Sequence, residues 1–226
     1  MLEHQPERPL RPGDRVPNVV LDAITRQGKV AIDDFRGQKA VIVGLYRGLH
    51  CPFCRRQIAA MAQLDGALQE KGIDSLTVVH TPIDRARLYF RYHPVPNLLA
   101  AADPELISHR AFGLPHVEFT ENETDWPRKI GKDVVMAMRV DVPGELPEPM
   151  DPLTASSYLH QKDGYDFTDI DQQMMETDQG QLIGQFLLDR DGIVRWSFTE
   201  FPDNGRRLLA VPDAEDVMSA ASQLAA

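Results

Sequence analysis

The chain has 226 residues, of which 42% are hydrophobic and 26% are charged, and only two are cysteine. This length and composition predict one large globular domain with its own hydrophobic core, and they exclude a secreted disulfide framework, a collagen-like repeat and a disordered chain. The net charge of −10 argues against nucleic acid or an anionic membrane as the main partner. The charged N-terminus lacks a signal-peptide apolar region, and no apolar run approaches the ~20 residues that span a bilayer, so we expect a cytoplasmic protein.

Apolar patterning in the first half of the chain predicts a β-hairpin and then alternating strands and helices. Continuous apolar runs are typical of strands covered on both faces, and apolar residues at helical spacing indicate the buried side of a helix. A late helix is predicted from Asp103 as N-cap, with Pro104 at its first position, to Gly113. In order, the predicted elements are strands at residues 19–24, 29–32 and 40–46, a helix at 52–71, a strand at 75–79, and helices at 84–92 and 103–113.

Residues 115–181 differ in character from the chain on either side. They contain 15 acidic and 5 basic residues, six prolines and weak apolar periodicity. We predict an insertion with one strand at 134–140. Because 67 residues exceed an ordinary loop and include Trp126, Tyr158 and Phe167, we expect the insertion to pack as a cap beside the functional site. A dimer interface elsewhere and disorder are the alternatives.

The pattern becomes regular again after the insertion. Residues 185–188 and 193–196 predict a second hairpin, and apolar residues after Asp213 predict a closing helix. A βα unit followed by an antiparallel hairpin and a helix is the α/β arrangement of the thioredoxin-like fold, a mixed central sheet flanked by helices. We therefore predict a single domain over residues 1–226, with its core at about 10–113 and 182–224 and the long acidic insertion at 115–181.

Both cysteines lie within the four residues Cys51-Pro52-Phe53-Cys54, where a buried strand gives way to a helix. A sulfur at a helix start lies among free backbone N–H groups, which favour the nucleophilic thiolate. Cys54 lies one turn deeper on the apolar side, close enough to resolve a mixed disulfide or a sulfenic acid on Cys51. The spacing therefore predicts a redox site in which Cys51 is the nucleophile and Cys54 the resolving thiol. The alternative is an unreactive pair, with Cys54 a core residue.

Basic residues lie close to the cysteine pair in the sequence. Arg47, His50 and Arg55 are predicted to form an electropositive surround that lowers the pKa of Cys51. Arg56 is the alternative to Arg55, because adjacent helical residues diverge by ~100° and we expect only one of the two to face the site.

A zinc site is an alternative use of the cysteines. A structural zinc site usually has a second paired ligand motif, which this sequence lacks, and no phosphate-binding glycine motif is present. We therefore expect neither a metal nor another cofactor. The candidate zinc ligands are His50, Cys51, Cys54 and, as a fourth, one of His80, His93, His109, His116 or His160.

The chain resembles the peroxiredoxin-like branch of the alkyl hydroperoxide reductase and thiol-specific antioxidant superfamily. The resemblance rests on Gly13-Asp14-Arg15-Val16-Pro17, on Tyr46-Arg47-Gly48-Leu49-His50-Cys51-Pro52-Phe53-Cys54-Arg55-Arg56-Gln57 and on the hairpin at 186–195. It implies a thioredoxin fold and reduction of a peroxide by a cysteine that is oxidised to sulfenic acid and then restored by thiols. The expected partners are a peroxide or disulfide substrate and a thiol reductant such as thioredoxin, glutaredoxin or glutathione, and the sequence leaves a homodimer open.

Several positions depart from the pattern typical of that family. Typical members have Pro-x-x-x-Thr-x-x-Cys, in which the Thr helps to orient the peroxide, but this chain has Gly44 and Gly48 at the Pro and Thr positions. The late arginine and the cis-proline of such proteins are also absent, because the corresponding positions hold Ile183 and Gly184. Cys-Pro-Phe-Cys is also similar to glutaredoxins. We therefore predict a thiol-dependent peroxidase first. The alternatives are a thiol-disulfide oxidoreductase without useful peroxidase activity and a redox-inert or redox-sensing binding protein.

Overall fold

The structure is a computed structural model that describes residues 6–95, 97–178, 180–202, 208–210 and 212–225. The strands are β1 Val20–Ala23, β2 Lys29–Ala31, β3 Ala40–Tyr46, β4 Ile73–Val79, β5 Leu99–Ala102, β6 Glu118–Thr120, β7 Lys129–Gly131, β8 Gly184–Leu188 and β9 Val194–Thr199. The helices are α1 Pro52–Glu70, α2 Ile83–Tyr92, α3 Ile107–Ala111, α4 Lys132–Ala137, α5 Pro152–Asp163, α6 Asp169–Asp178 and α7 Ala214–Ala225.

A seven-stranded mixed sheet has the order β2-β1-β5-β4-β3-β8-β9. β3, β4 and β5 are parallel, and β1 and β8 pair antiparallel at the two sides of this set. The hairpins β1–β2 and β8–β9 complete the edges, and β6 and β7 form a separate parallel pair. This arrangement confirms the predicted thioredoxin-like fold and puts β3, which leads into the cysteines, near the middle of the sheet.

Alternation along β3 divides the hydrophobic core between the two faces of the sheet. Val41, Val43 and Leu45 pack into one cluster, whereas Ile42 and Tyr46 pack into the other. The second cluster also holds both cysteines and buried residues of α1 and α5. The cysteine pair is therefore anchored in the core on one face of the sheet.

The predicted hairpins, β3, β4, α1, α2 and α7 are confirmed, but the helix predicted at 103–113 is shorter and begins at Ile107. Leu106 has the left-handed φ of 54°, which cannot continue a helix from Asp103. The Asp103 carboxylate instead accepts hydrogen bonds from the backbone N–H groups of Ile107 and Ser108. β5, which pairs with β4 and β1, was not predicted.

The strand predicted at 134–140 is wrong, because most of it lies in α4. A short apolar run fits a buried strand and a buried helix equally well, and here Val135 is buried in a cluster with Ile130 and Leu182. The acidic segment, residues 115–181, also contains α5, α6, β6 and β7, which were not predicted. None of the described helices is long and apolar enough to cross a membrane.

Candidate active site

Cys51 is the N-cap of α1, directly beyond the loop that follows β3. Its sulfur accepts a hydrogen bond from the backbone N–H of Cys54 at 3.2 Å, as expected of a group at a helix start. Both cysteines are free thiols, and Cys51 is 6% exposed while Cys54 is completely buried. Cys51, but not Cys54, is among the described residues that line the cavity beside the start of α1.

The surroundings separate the acidities of the two thiols. Burial raises the pKa of Cys51, but the hydrogen bonds from Cys54 and the positive charge of Arg47 outweigh burial and bring that pKa to about 7. Burial, followed by the neighbouring Cys51, raises the pKa of Cys54 well above that of an ordinary thiol. At neutral pH Cys51 is thus the sulfur that ionises, and Cys54 stays a thiol that donates to it.

The rate of alkylation should therefore depend on pH through the ionisation of one sulfur, that of Cys51. We expect iodoacetamide to modify Cys51 with a rate that rises with pH through a midpoint of about 7 and then levels off, because the thiolate is present above that pKa and lost below it. Cys54 should remain unmodified in the folded protein. Mass spectrometry of the alkylated peptides checks this, and equal, slow modification of both cysteines would contradict the assignment.

Arg47, the residue after β3, is buried and paired with Glu200, the residue after β9. Its guanidinium donates to both carboxylate oxygens, at 2.7 and 3.2 Å. Glu200 also accepts the backbone N–H groups of Ile183 at 3.0 Å and Leu209 at 2.7 Å. Burial opposes the charge on Arg47, but Glu200 and the cysteines raise its pKa. Arg47 is therefore a fixed cation close to Cys51.

Glu200 was not predicted from the sequence. It is fully buried, yet nothing in its local pattern marks it, because its partner is remote in the chain. Glu200 also accepts a hydrogen bond from the backbone of Ile183, the position at which the resemblance to the family would require the late arginine. The cation that acts on Cys51 comes instead from the end of β3, and Glu200 ties it to the end of β9.

His50 lines the cavity with Cys51, but it is not part of an electropositive surround, and this part of the prediction is wrong. Burial is the main cause that lowers the pKa of His50 to about 4. The nearby Asp171 carboxylate favours the protonated ring, but His80 and Arg47 act in the opposite direction. The imidazole is consequently neutral at pH 7.

Arg55 is also placed differently from the prediction. Its guanidinium donates to the carbonyl of Leu49 at 2.7 Å and to the Asp163 carboxylate at 2.6 Å, and it lies 4.1 Å from the centre of the Tyr165 ring. Arg56 bonds the same carboxylate at 2.8 Å. Both side chains are long enough to converge on Asp163, and neither of them lines the cavity beside Cys51. They hold the acidic segment against α1.

The cavity beside Cys51 has a volume of about 270 Å³. Its wall combines the start of α1 with α4, α5 and α6 of the acidic segment, so that segment does lie beside the cysteine. Ala155 and Leu159 of α5 are fully buried in the same hydrophobic cluster as Cys54. The lining residues are Arg47, His50, Cys51, Pro52, Phe53, Phe119, Lys132, Val135, Met136, Pro152, Leu153, Ser156, His160, Met175, Leu208 and Leu209.

The two glycines in place of the family's Pro and Thr lie where a side chain does not fit. A Cβ on Gly44 would be 2.6 Å from the Tyr46 hydroxyl, and one on Gly48 would be 2.6 Å from Nδ1 of His50 and 2.7 Å from the carbonyl oxygen of His80. The loop is fixed further by the backbone N–H of Leu49, which donates to the buried Thr81 hydroxyl at 3.0 Å. The loop thus packs the His50 ring against the Gly48 backbone.

The zinc alternative finds no support in the described chain, where no three His, Cys, Asp or Glu side chains are placed to hold a metal ion. His80 instead makes a contact of 3.1 Å between its Nε2 and the carbonyl oxygen of Pro104. His109 lies 3.9 Å from the Asp103 carboxylate, away from the cysteines.

Comparisons with known proteins support the resemblance seen in the sequence. The family model described as the AhpC/TSA family matches residues 12–124, half of the chain. No curated protein matches the chain.

Among solved structures, peroxidoxin BcpB from Mycobacterium tuberculosis is similar with a TM-score of 0.56 at 10% identity, covering 95% of this chain and 98% of that chain. The reduced 2-Cys peroxiredoxin of Plasmodium vivax gives 0.56 at 12% identity, covering 95% and 81%. A peroxiredoxin-like protein from Aquifex aeolicus gives 0.56 at 12% identity, covering 96% and 88%. At these identities the structures show the shared fold. The family match over half of the chain establishes that it belongs to the AhpC/TSA family of oxidoreductases, which act on peroxides or disulfides.

Proposed function

We propose that the protein is a thiol-dependent peroxidase in which Cys51 attacks the peroxide and Cys54 resolves the product. The Cys51 thiolate forms a bond to the terminal peroxide oxygen as the O–O bond breaks, and the released alkoxide or hydroxide takes up a proton. Sulfur is oxidised to a sulfenic acid and the peroxide is reduced to an alcohol or water. Cys54 then displaces the sulfenic hydroxyl, which leaves as water with the Cys54 proton, and a Cys51–Cys54 disulfide forms.

The observation that carries this proposal is the enclosure of an acidic sulfur. Cys51 is 6% exposed and borders a mostly apolar cavity of about 270 Å³. A volume of this size accommodates a small molecule more readily than a disulfide held in the surface of a folded protein. Enclosure therefore favours a small peroxide as the oxidising substrate.

Thiol-disulfide exchange is the second candidate, and the Cys-x-x-Cys arrangement favours it. Exchange needs one acidic, attacking thiol and one thiol that closes the disulfide, and the pKa directions of Cys51 and Cys54 provide that pair. A small or flexible disulfide would be its substrate, because the cavity limits what can reach Cys51.

Parallel assays separate the two functions. We expect steady consumption of hydrogen peroxide or a small organic hydroperoxide with thioredoxin, glutaredoxin or glutathione as reductant, and little reduction of a protein disulfide such as that of insulin. Peptide mapping after one equivalent of peroxide should identify the Cys51–Cys54 disulfide. Fast insulin reduction without peroxide consumption would establish the second candidate instead.

We also propose that the acidic segment is a cap of a single domain and limits access to Cys51. Arg55 and Arg56 bind Asp163 at one end of α5, and Arg85 of α2 binds Asp171 of α6 at 2.8 Å. A homodimer and a cytoplasmic location remain predictions from the sequence.

Loosening the contact between Arg85 and Asp171 should open this cap. Asp171 is 1% exposed and also accepts hydrogen bonds from the Tyr165 hydroxyl and from Thr168. Each hydrogen bond to a charged group contributes ~1.5–3 kcal/mol, so Asp171→Asn should raise the reaction rate of Cys51 with a bulky maleimide by about 10-fold or more. Reaction with iodoacetamide should change much less.

The matched control is Asp169→Asn, which removes an exposed carboxylate from the first turn of the same helix. It should leave both rates unchanged. A bulky-reagent rate that is equal in wild type and Asp171→Asn would contradict the role of the acidic segment as a cap.

A further inference from the structure

Two neutral histidines share the cavity with Cys51. His50 precedes Cys51 in the loop, and His160 reaches the cavity from α5. Most of the remaining wall is apolar, and its charged groups already have partners: Arg47 is paired with Glu200, and Lys132 with Glu121. The two imidazoles are therefore polar groups of the wall that remain available to a bound molecule.

Burial of one nitrogen in each ring indicates which nitrogen a ligand can reach and which one carries the proton. In both His50 and His160, Nδ1 is enclosed and has no hydrogen-bond partner within the described chain. Nε2 of neither ring is enclosed without a partner in this way, and no hydrogen bond to another described residue occupies it, so we assign Nε2 as the nitrogen that meets a ligand. An enclosed N–H without an acceptor is rarer and more costly than an enclosed lone pair. The favoured tautomer therefore carries its proton on Nε2, as a hydrogen-bond donor.

Packing fixes both rings in place. The His50 ring lies against Gly48, where even a Cβ would be 2.6 Å from Nδ1. The His160 ring contacts the rings of Tyr165 and Phe167, each with its centre 5.5 Å away. Burial is the first cause that lowers the pKa of each histidine, and Arg55 is the second for His160, so both rings stay neutral. The donors are thus held in position before substrate binds.

We propose that the Nε2–H groups of His50 and His160 bind the hydroperoxide group and donate to the oxygen that leaves when Cys51 attacks. This inference rests on the proposed peroxidase function and assigns the groups that recognise the peroxide. The thiolate forms the S–O bond, the O–O electron pair passes to the leaving oxygen, and the peroxide proton moves to that oxygen. The products are a Cys51 sulfenate and an alcohol or water. Fixed donors at an oxygen that gains negative charge lower the barrier in the same way as an oxyanion hole.

Two reactions of the same sulfur provide the test. Reaction with hydrogen peroxide or cumene hydroperoxide in a single turnover needs the donors, whereas alkylation by iodoacetamide needs only an accessible thiolate. We expect His50→Leu to lower the peroxide rate constant by ~10²-fold and to leave the alkylation rate and its pH midpoint unchanged. His160→Leu should act in the same direction. His50→Gln and His160→Gln keep an N–H donor and should recover much of the lost rate.

His116→Leu, at an exposed position outside the cavity, is the matched control and should leave both rates unchanged. Equal losses in the peroxide and alkylation rates would show that the histidines only support the thiolate, and an unchanged peroxide rate would show that they do not bind the peroxide. Either result overturns the inference. If a leucine variant fails to fold, His50→Met or His160→Met, which also removes the N–H donor but is unbranched, gives the same decision. A wild-type protein that alkylates normally but does not react with peroxide refutes the proposed function itself.

Discussion

Cys51→Ser should reduce peroxide turnover to the background of the assay, a loss of about 10³-fold or more. A serine hydroxyl at the start of α1 has the same backbone donors, but it does not ionise near neutral pH, and its oxygen cannot cycle through a sulfenic acid. The folded structure should persist, because serine is also a favourable N-cap residue. Peroxide consumption with a thiol reductant measures the loss, and circular dichroism measures the fold.

Cys54→Ser should produce a different defect. Cys51 keeps the positive charge of Arg47 and the backbone N–H at position 54, so one equivalent of peroxide should still be consumed. The sulfenic acid then has no resolving thiol and should be captured by dimedone and detected by mass spectrometry. Disulfides found only between chains of the wild-type protein, or full turnover by Cys54→Ser, would show that Cys54 does not resolve Cys51.

The second large effect is expected at the buried pair of Arg47 and Glu200. Arg47→Met should lower the free energy of unfolding by about 3–5 kcal/mol, because it leaves the carboxylate of Glu200 buried without its counter-charge. The same change should raise the pKa of Cys51 from about 7 toward or above the ~8.5 of a free thiol. Denaturant unfolding measures the stability, and the pH midpoint of alkylation measures the acidity.

Glu200 variants make this test specific. The charge of Glu200 raises the pKa of Cys51, so Glu200→Gln should lower that pKa while it also destabilises the fold. The double variant Arg47→Met/Glu200→Gln removes both charges and should recover much of the lost stability but not the acidity. A Cys51 pKa that remains at about 7 in Arg47→Met would exclude Arg47 as a source of that acidity.

Some features missed in the acidic segment were present in the sequence. Asp151 is the N-cap of α5, Pro152 is its first residue, and Gly164 follows it with a φ of 57°. An Asp N-cap, a proline at the first helical position and a glycine after the last turn are standard helix boundaries. The weak apolar periodicity of α5 hid them, because this helix buries only a few small or aliphatic residues, including Ala155 and Leu159.

The sequence alone determined the main strands, α1 and the thioredoxin-like fold, and it led to the proposed roles of the cysteine pair. Each of these rests on residues a few positions apart, as in the apolar run of β3 and the i, i+3 spacing of Cys51 and Cys54, so local geometry is sufficient.

Only the tertiary structure decided which groups surround the sulfur. Arg47 meets Glu200 across 153 positions and Arg55 meets Asp163 across 108, and no local pattern links such partners. The same long-range packing decides which side chains are charged and where their charges lie. Burial makes His50 neutral, and the ion pair with Asp163 holds the charge of Arg55 at the acidic segment. Electrostatic character depends on burial and on partners as much as on residue type, and the fold supplies both.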